Sequence, residues 1–481
     1  MTTVVEHLTV RIESGVFPSE SFQVYRLTGR EVISQPFSFD VEISCKGTEG
    51  IDAAAAMGTD IGLVFEQEGR EVRRVHGMIA EVHDLLARLH DHRAYRLRVV
   101  PRVFRLALVE TSQVTMNVSV PDLIKSKLAL VGLSGADVEL RLLGSYAPRE
   151  FIAQYQETDL TFINRLTEHL GISYFFNHAG GQDTIVFTDH AGGFEPAPEP
   201  ARWNGVGQER GVYELEARSR VIPSVFVVRD YNYRQPLLDL TAEQVVPTGY
   251  AGGVIEFGLH HKTPAEGKVL AQARADERQS TQLVYAGKST VCALGAGATV
   301  TLEDHPLLGS ADLLIVEVEH HMNTQAAIPG SGGLHQRYVN SFSATPAQQT
   351  YRPPRITKKP QIAGVMTGIV DAGPGGSSDY ASIDDQGRYL IRLLFDTSAS
   401  GGAVSRPIRM AQNHAGANYG THFPLKPSVE VLVAFVNGDP DRPVIVGAVP
   451  NPLTRSPVDV ANRTTHRIKT KEGILFDLVD E

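Results

Sequence analysis

Apolar and polar side chains alternate along the first hundred residues. Between Ser21 and Ser44, Phe37, Phe39, Val41 and Ile43 fall on one face of an extended chain, the two-residue period of a half-buried strand. VRRVHGMIAEVHD and YRLRVVPRVFRLAL continue the pattern, with Gly77 expected to mark a bulge or bend. Many short strands of this kind predict a β-barrel over residues 1–105. The period then changes. Pro121 opens helical spacing at Ile124, Leu128 and Val131, closed by Gly132. Thr158 is the expected N-cap of a helix carrying Phe162, Ile163, Leu166 and Leu170 and stopped at Gly171. ISYFFNH and TIVFTDH follow as a strand pair, so residues 106–204 read as an α+β insertion.

Residues 205–343 return to strands around one helix. Thr263, Pro264 and Glu266 spell a capping box, and the helix runs to about Gln279 with Val269, Leu270 and Ala273 facing inward. LVYAGKSTVCAL, ATVTLED and LLIVEVEHH read as strands ending near Phe342. Two β-rich segments around a helical insert suggest a duplicated barrel, with no repeat visible residue by residue. Residues 344–361 are proline-rich and polar and read as a semi-extended linker. Beyond it, GRYLIRLLFD puts Tyr389, Ile391, Leu393 and Phe395 on one face, and VEVLVAFVNGDPDRPVIVGAV gives two strands around a turn at Asn437, Gly438, Asp439 and Pro440. Short strands with Gly- and Pro-containing turns over 362–450 suit an OB-type barrel. The fold class is mainly β with helical insertions.

Composition narrows the function. At 481 residues the chain exceeds one core, and ~150 residues per domain gives about three. Its 45 basic and 55 acidic residues leave a net charge of −10, which disfavours a general nucleic-acid role. Cys45 and Cys292 are the only cysteines and lack a C-x-x-C partner, which excludes a cysteine-rich zinc module. MTTVVEHLTVRIES has no basic start, apolar run or cleavage site, and no segment reaches the ~20 apolar residues that span a bilayer. Synthesis and assembly in the cytoplasm are expected, with any export by a route other than general secretion.

No catalytic motif emerges. There is no G-x-S-x-G elbow, since PGSGG (329–333) and GPGGSS (373–378) have the wrong spacing; there is also no P-loop and no H-E-x-x-H. His90 and His92, His260 and His261, His320 and His321, and His414 and His422 lack a third ligand at metal-like spacing. Asp384, Asp385, Asp439 and Asp441 read as turn residues, with Asp439 and Arg442 placed to pair across their turn. Tyr389, Phe395 and Phe435 read as core rather than a stacking surface, and Arg388, Arg392, Arg406 and Arg409 give local positive charge that suits a subunit interface at least as well as a nucleic-acid groove. The expectation is no enzyme, cofactor, metal or nucleic-acid partner.

Three stretches resemble the VgrG family. REFIAQYQETDLTFINRLTEHLGISYFF (149–176) matches at Arg149, Gln154, Tyr155, Glu157, Thr158, Asp159, Phe162, Arg165, Leu166, Glu168, Gly171, Ile172 and Tyr174. DDQGRYLIRLLFD is similar to the family's strand entry at Gly387 and Arg388. EVLVAFVNGDPDRPVIVGAVPNP (430–452) carries the family turn Gly438, Asp439, Pro440, Asp441, Arg442, Pro443. Departures are Leu394, Phe395 and Asp396 where members have His-Trp-Asp, and His414 to Gly420 where members have a tryptophan-rich segment. The resemblance implies two hub barrels, an OB collar and, over 451–481, the root of a trimeric β-prism with Ile468, Ile474, Leu475 and Phe476 as three-fold contacts. It also implies a homotrimeric hub and spike of a contractile injection machine, exported by that machine. Its implied partners are a tube ring (Hcp-like), baseplate proteins, a tip protein (PAAR-like) and effectors, with the target membrane touched transiently. Type VI secretion, an extracellular particle and a phage tail all fit, as does a spike fused to an effector enzyme beyond Glu481.

Overall fold

The computed structural model describes residues 8–46, 50–86, 92–205, 210–323, 337–373, 376–377, 379–397 and 405–480. His90, PGSGG, positions 374, 375 and 378 of GPGGSS, and Glu481 lie outside the described residues. The chain opens with β1 (Leu8–Ser14), β2 (Phe22–Val32), β3 (Ser38–Lys46), α1 (Ala53–Ala56), β4 (Asp60–Gln67), β5 (Arg70–Asp84) and β6 (His92–Val100). Next come β7 (Glu110–Thr115), α2 (Val120–Leu130), β8 (Val138–Arg141), β9 (Ile152–Thr158), α3 (Asp159–Leu170), β10 (Ser173–Asn177) and β11 (Thr184–Thr188). After the two-residue strands β12 (Glu195–Pro196) and β13 (Ala201–Arg202) come β14 (Val212–Ser219), β15 (Val225–Arg229), β16 (Ala242–Val245), β17 (Gly253–Phe257) and α4 (Pro264–Gln279). They are followed by β18 (Leu283–Ser289), β19 (Ala298–His305), β20 (Gly309–Asn323) and β21 (Arg337–Pro346). The last are β22 (Val365–Val370), β23 (Ile391–Leu393), β24 (Ala415–Gly416), β25 (Tyr419–Gly420), β26 (Glu430–Phe435), β27 (Pro443–Ala448), β28 (Thr465–Lys469) and β29 (Leu475–Val479).

Contacts divide the chain into two compact units, Met1–Leu108 with Pro121–Ser145 and Leu160–Lys358, and Val109–Val120 with Tyr146–Asp159 and Lys359–Glu481. This cuts across the insertion drawn at 106–204. β7 and β9 pair with each other, and their apolar residues Val114 and Ala153, with Phe151 just before β9, join the core of the OB domain.

The first unit holds two barrels with one plan. In the first, the antiparallel order is β2-β3-β6-β5-β4; in the second it is β14-β18-β21-β20-β19. Each is therefore built first-second-fifth-fourth-third along the chain. The irregularities coincide as well. A bulge sits at Tyr25 in β2 and at Tyr213 in β14, and another at Ala80 in β5 and Val316 in β20. Laid on one another by these registers, Val24-Tyr25-x-Leu27-x-x-Arg30 falls on Val212-Tyr213-x-Leu215-x-x-Arg218, and Ile79-x-Glu81-Val82 on Ile315-x-Glu317-Val318. Gly58 falls on Gly297, both at positive φ and both donating to the strand beside them, at Ile79 and Ile315. Even one cross-strand ion pair recurs with its signs reversed, Arg26–Glu42 at 3.7 Å against Glu214–Lys288 at 2.9 Å. The duplication read from segment composition is thus present residue by residue once register supplies the alignment.

The barrels are joined by β2, which pairs antiparallel with the C-terminal half of β20 from Arg26↔Asn323 to Val32↔Glu317. Leu27 and Met322 face each other there, both buried, and Arg30 reaches Glu317 at 2.8 Å. Beneath this seam lies a buried polar network. Glu31 accepts from Arg73 and pairs with His320 Nε2 at 2.7 Å, while His320 Nδ1 lies 2.6 Å from the Tyr338 hydroxyl. Asn340 donates to that hydroxyl at 3.0 Å and to Val291 O at 2.8 Å. One proton arrangement satisfies the chain: Asn340 donates to Tyr338, Tyr338 to Nδ1 of a neutral His320, and His320 Nε2–H to Glu31. Burial alone would raise the Glu31 carboxyl, but the Arg73 charge and the His320 bond hold it down to about 2. Burial lowers His320, with Glu31 opposing.

Two expectations need correction. Gly77 is no bulge: a Cβ there would sit 2.6 Å from Val100 O, so close packing requires the glycine, and the bulge falls at Ala80. In α4, capped by Thr263 accepting from Glu266 N at 3.2 Å, Leu270 and Ala273 are buried but Val269 is 65% exposed. Successive residues of a helix point about 100° apart, and the buried face goes to Leu270.

Candidate functional site in the motif clusters

In the second unit, four strands order as β23-β22-β26-β27, with bridges from Tyr389 to Ile408 and Met410 to Ile445 extending the OB barrel. The turn between β26 and β27 carries Gly438 to Pro443. Asn437 and Gly438 sit at φ 57° and 72°, a left-handed pair that asparagine and glycine tolerate best. Asp439 closes the turn by accepting from Asp441 N at 2.9 Å. Asp441 itself is buried and works across the sequence. It accepts from Ala153 N in β9 at 2.7 Å and from Lys359 Nζ at 2.7 Å, and Lys359 also lies 2.5 Å from Asp439. Arg406 donates to the Asp441 carbonyl at 3.1 Å, and Arg442 Nε is 3.9 Å from Asp439.

This joint fastens the β7–β9 ribbon to the barrel. Phe151 and Ala153 pack with Tyr389, Ile391, Val431, Val433 and Ile445, the Arg406 guanidinium lies 5.8 Å over the Phe151 ring, and Tyr155 meets Phe395 edge-on at 5.4 Å. Buried Gln154 donates to Glu157 O at 3.1 Å and to Asp159 at 2.9 Å, fixing the end of β9 where α3 begins. Arg149 bridges to Val118 beside the same ribbon. The acidic strand entry is a closed turn: Asp384 accepts from Gln386 N and Arg388 N and pairs with Arg388 Nε at 2.7 Å, around Gly387 at φ 68°. Burial works to raise the Asp384 carboxyl, yet the Arg388 bonds hold it below its ordinary value. Asp439 and Asp441 are bridged by an ammonium and bonded to backbone amides, the arrangement of a structural turn rather than an acid–base pair. Tyr389 and Phe435 are buried and Phe395 half-buried, so these rings form core, not a stacking platform.

In the first unit, the rest of the 149–176 motif holds the chain segment before Lys359. Phe162, Leu166 and Ile172 are buried, with the Arg165 guanidinium 4.8 Å over the Phe162 ring. Glu168 accepts from Thr357 N at 2.9 Å and Thr357 Oγ1 at 2.7 Å; burial pushes its carboxyl up, against these bonds. Gly171 ends α3 at φ 71° and its carbonyl accepts from Arg352 at 2.8 Å. Arg352 also pairs with Asp276, Arg355 pairs with Glu256 and Glu277, and Tyr351 is buried beside Phe175. The stretch read as a linker is therefore strapped down over residues 351–357, its prolines supplying extension and its arginines the clasps.

In β28–β29, Ile468, Ile474, Leu475 and Phe476 are 48%, 71%, 52% and 59% exposed, an apolar surface with nothing over it in the single chain. The sequence reading missed Lys359 and the reach of Asp441, because neither spacing nor period places a turn carboxylate against a strand so far away along the chain. No helix among the described residues is long and apolar enough to cross a membrane.

Comparison with known proteins follows this architecture. The phage tail baseplate hub (GPD) family matches residues 30–326, and the type VI secretion system/phage-baseplate injector OB domain matches 382–449. Type VI secretion system spike protein VgrG5 of Pseudomonas aeruginosa is 29% identical over 96% of this chain and 60% of its own length. VgrG3 of Vibrio cholerae is 28% identical over 94% of this chain and 46% of its own. The chain thus spans about half to three-fifths of these relatives. Among solved structures, an E. coli component of the type VI secretion system, described as similar to T4 bacteriophage tail proteins, aligns with TM-score 0.67 at 23% identity, covering 91% of this chain and all of that one.

Proposed function

Since the chain belongs to the phage tail baseplate hub family, in the VgrG form that adds an injector OB domain, we propose that it is the homotrimeric hub and upper spike of a contractile injection machine of the type VI kind. The observation that carries this is the order of parts: a doubled barrel, an extended segment clasped onto that first unit over residues 351–357, and then an OB domain. A machine driven by sheath contraction needs stiffness more than chemistry, and the motif carboxylates Glu168, Asp384, Asp439 and Asp441 are engaged by backbone amides or cations. The hub barrels cap the inner tube ring, and the OB domains pass the chains toward a prism whose root is the β28–β29 hairpin. Its uncovered Ile474, Leu475 and Phe476 are what an intertwined stalk buries on the three-fold axis. Tip protein and effectors ride beyond it, the work is mechanical, and export is by the machine itself. Native mass spectrometry of the full chain tests the reading together with deletion of its gene. Three copies, and loss of tube-protein release on deletion, are expected; a monomer at all concentrations, or undiminished release, overturns it.

A further inference from the structure

The segment that follows Tyr351 carries no buried apolar anchor except Pro353. Tyr351 itself is buried beside Phe175, but Ile356, the next large apolar residue, is 60% exposed. The segment is tied to the first unit at three points: Arg352 to Asp276 and the Gly171 carbonyl, Arg355 to Glu256 and Glu277, and Thr357 to Glu168. A pull transmitted through Lys359 meets these ties one at a time. Part-exposed ion pairs of this kind are weak singly and are screened by salt.

Beneath the middle tie lies a second cation. Arg274 of α4, its side chain 2% exposed, faces the same two carboxylates as Arg355. Arg355 takes Glu256 with both terminal nitrogens, at 2.8 and 2.6 Å, and Glu277 with Nε at 3.1 Å. Arg274 stands back, 3.5 Å from Glu256 and 4.0 Å from Glu277, and its Nε donates no hydrogen bond. It rests instead on the His169 carbonyl at 2.8 Å. Burial and the Arg355 charge pull Arg274 down to about 10, against the attraction of the two glutamates. A carboxylate stripped of its cation in a half-buried site ordinarily resists the change that strips it. Here the replacement is already in place: a shift of about 0.6 Å brings the unsatisfied Arg274 Nε–H to hydrogen-bond distance of Glu256.

We propose that residues 352–358 form a releasable latch, in which Glu256 and Glu277 pass from Arg355 to Arg274 as the segment lifts and Tyr351 serves as the hinge. Closed, the segment is fixed to the first unit. Open, the chain between Tyr351 and Lys359 is free and spans up to ~25 Å at ~3.5 Å per residue. Tension along the chain or high salt opens it, and the two carboxylates have a cation in both states. The latch needs no second copy of the chain, so it stands or falls independently of the trimer.

The test is thiol labelling of P353C in the full chain. Pro353 is buried, and Cys45 and Cys292 are buried in the barrel core, so the parent chain supplies the background rate. Labelling of P353C is expected to quicken about 3-fold or more between ~0.1 and ~1 M NaCl, over which the Debye length falls from ~10 to ~3 Å. Adding R355M is expected to raise it about 10-fold. R274M separates the readings, because a supporting arginine and a competing one give opposite signs. As a competitor Arg274 stabilises the open latch, so R274M is expected to slow labelling about 5-fold, while R274K, which keeps the charge, stays within about 2-fold of P353C alone. If R274M also exposes Cys45 and Cys292, R274Q, uncharged but polar, is read for the same sign. Labelling of the uncharged variant at or above the P353C rate overturns the exchange, and labelling indifferent to salt overturns the latch.

Discussion

Replacing Asp441 with alanine tests whether the turn carboxylate fastens β9 to the OB barrel. In the protein, Ala153 N donates to Asp441 at 2.7 Å, and Ala153 is completely buried. Removing the acceptor takes a hydrogen bond from a buried amide, which costs about 1–3 kcal/mol. Lys359, a third exposed, loses one carboxylate but keeps Asp439 at 2.5 Å, so its share is at most about 0.5 kcal/mol. The sum, about 1–3.5 kcal/mol, is roughly a 5- to 300-fold rise in the opening equilibrium of the ribbon, at ~1.4 kcal/mol per decade. Because the chain has two units, a single global unfolding free energy would blur the effect. Hydrogen exchange read by mass spectrometry over Phe151–Thr158 isolates it. D441A is expected to accelerate exchange there by one to two decades while β2 and β20 exchange as in the wild type. D441N, which keeps an acceptor but presents an amide to Lys359, should fall between. Unchanged exchange of β9 in D441A would mean that hydrophobic packing of Phe151 and Ala153 alone holds the ribbon, and the reasoning would be refuted.

Acid should weaken the first unit early. His178 is held down to about 3 by burial, so from its unfolded value near 6.5 downward the unfolded chain takes up a proton that the folded one refuses, at up to about 1.4 kcal/mol per pH unit. Glu31, held at about 2, adds loss of stability as pH falls from about 4.5; melting temperatures that rise between pH 6.5 and 4.5 would contradict the His178 sign, and a rise between pH 4.5 and 3 would contradict both. Gly171→Ala places a methyl 2.9 Å from Arg352 Cδ on a left-handed residue and should lower the melting temperature of the first unit, by about 1–2 kcal/mol in stability; an unchanged melt would show that Arg352 yields freely. Glu168→Ala frees Thr357, so trypsin should cleave at Arg355 or Lys358 faster in the variant, and equal rates would show that the arginine clasps suffice.

The strands of the first barrel were legible because Phe39, Val41 and Ile43 obey the two-residue period in a sheet with one buried face, and α4 was legible from its cap. The duplication could be suspected but not aligned. Its matches are short, and the second barrel is interrupted between β14 and β18 by the β15–β17 sheet and α4, so only register brings Tyr25 onto Tyr213. That β16-β15-β17 sheet went unread because its strands are brief and separated by Pro- and Gly-containing loops. The family motifs marked the right residues without saying what they touch. Asp441 reads as one more turn aspartate until β9 is seen against it, and Glu168 as helix surface until Thr357 closes over it.

The two barrels share a plan but not their buried chemistry, and the difference fixes which strand closes the seam between them. Where β2 carries Glu31, β14 carries Ser219; where β20 carries His320, β5 carries Asp84. A strand of the composition of β14 set against β20 would bring no carboxylate, leaving His320 Nε2 buried without its acceptor, an error of about 1–3 kcal/mol. The chain therefore closes its seam with β2 and not with the counterpart strand of barrel two, a choice set by one buried carboxylate rather than by the order of the strands.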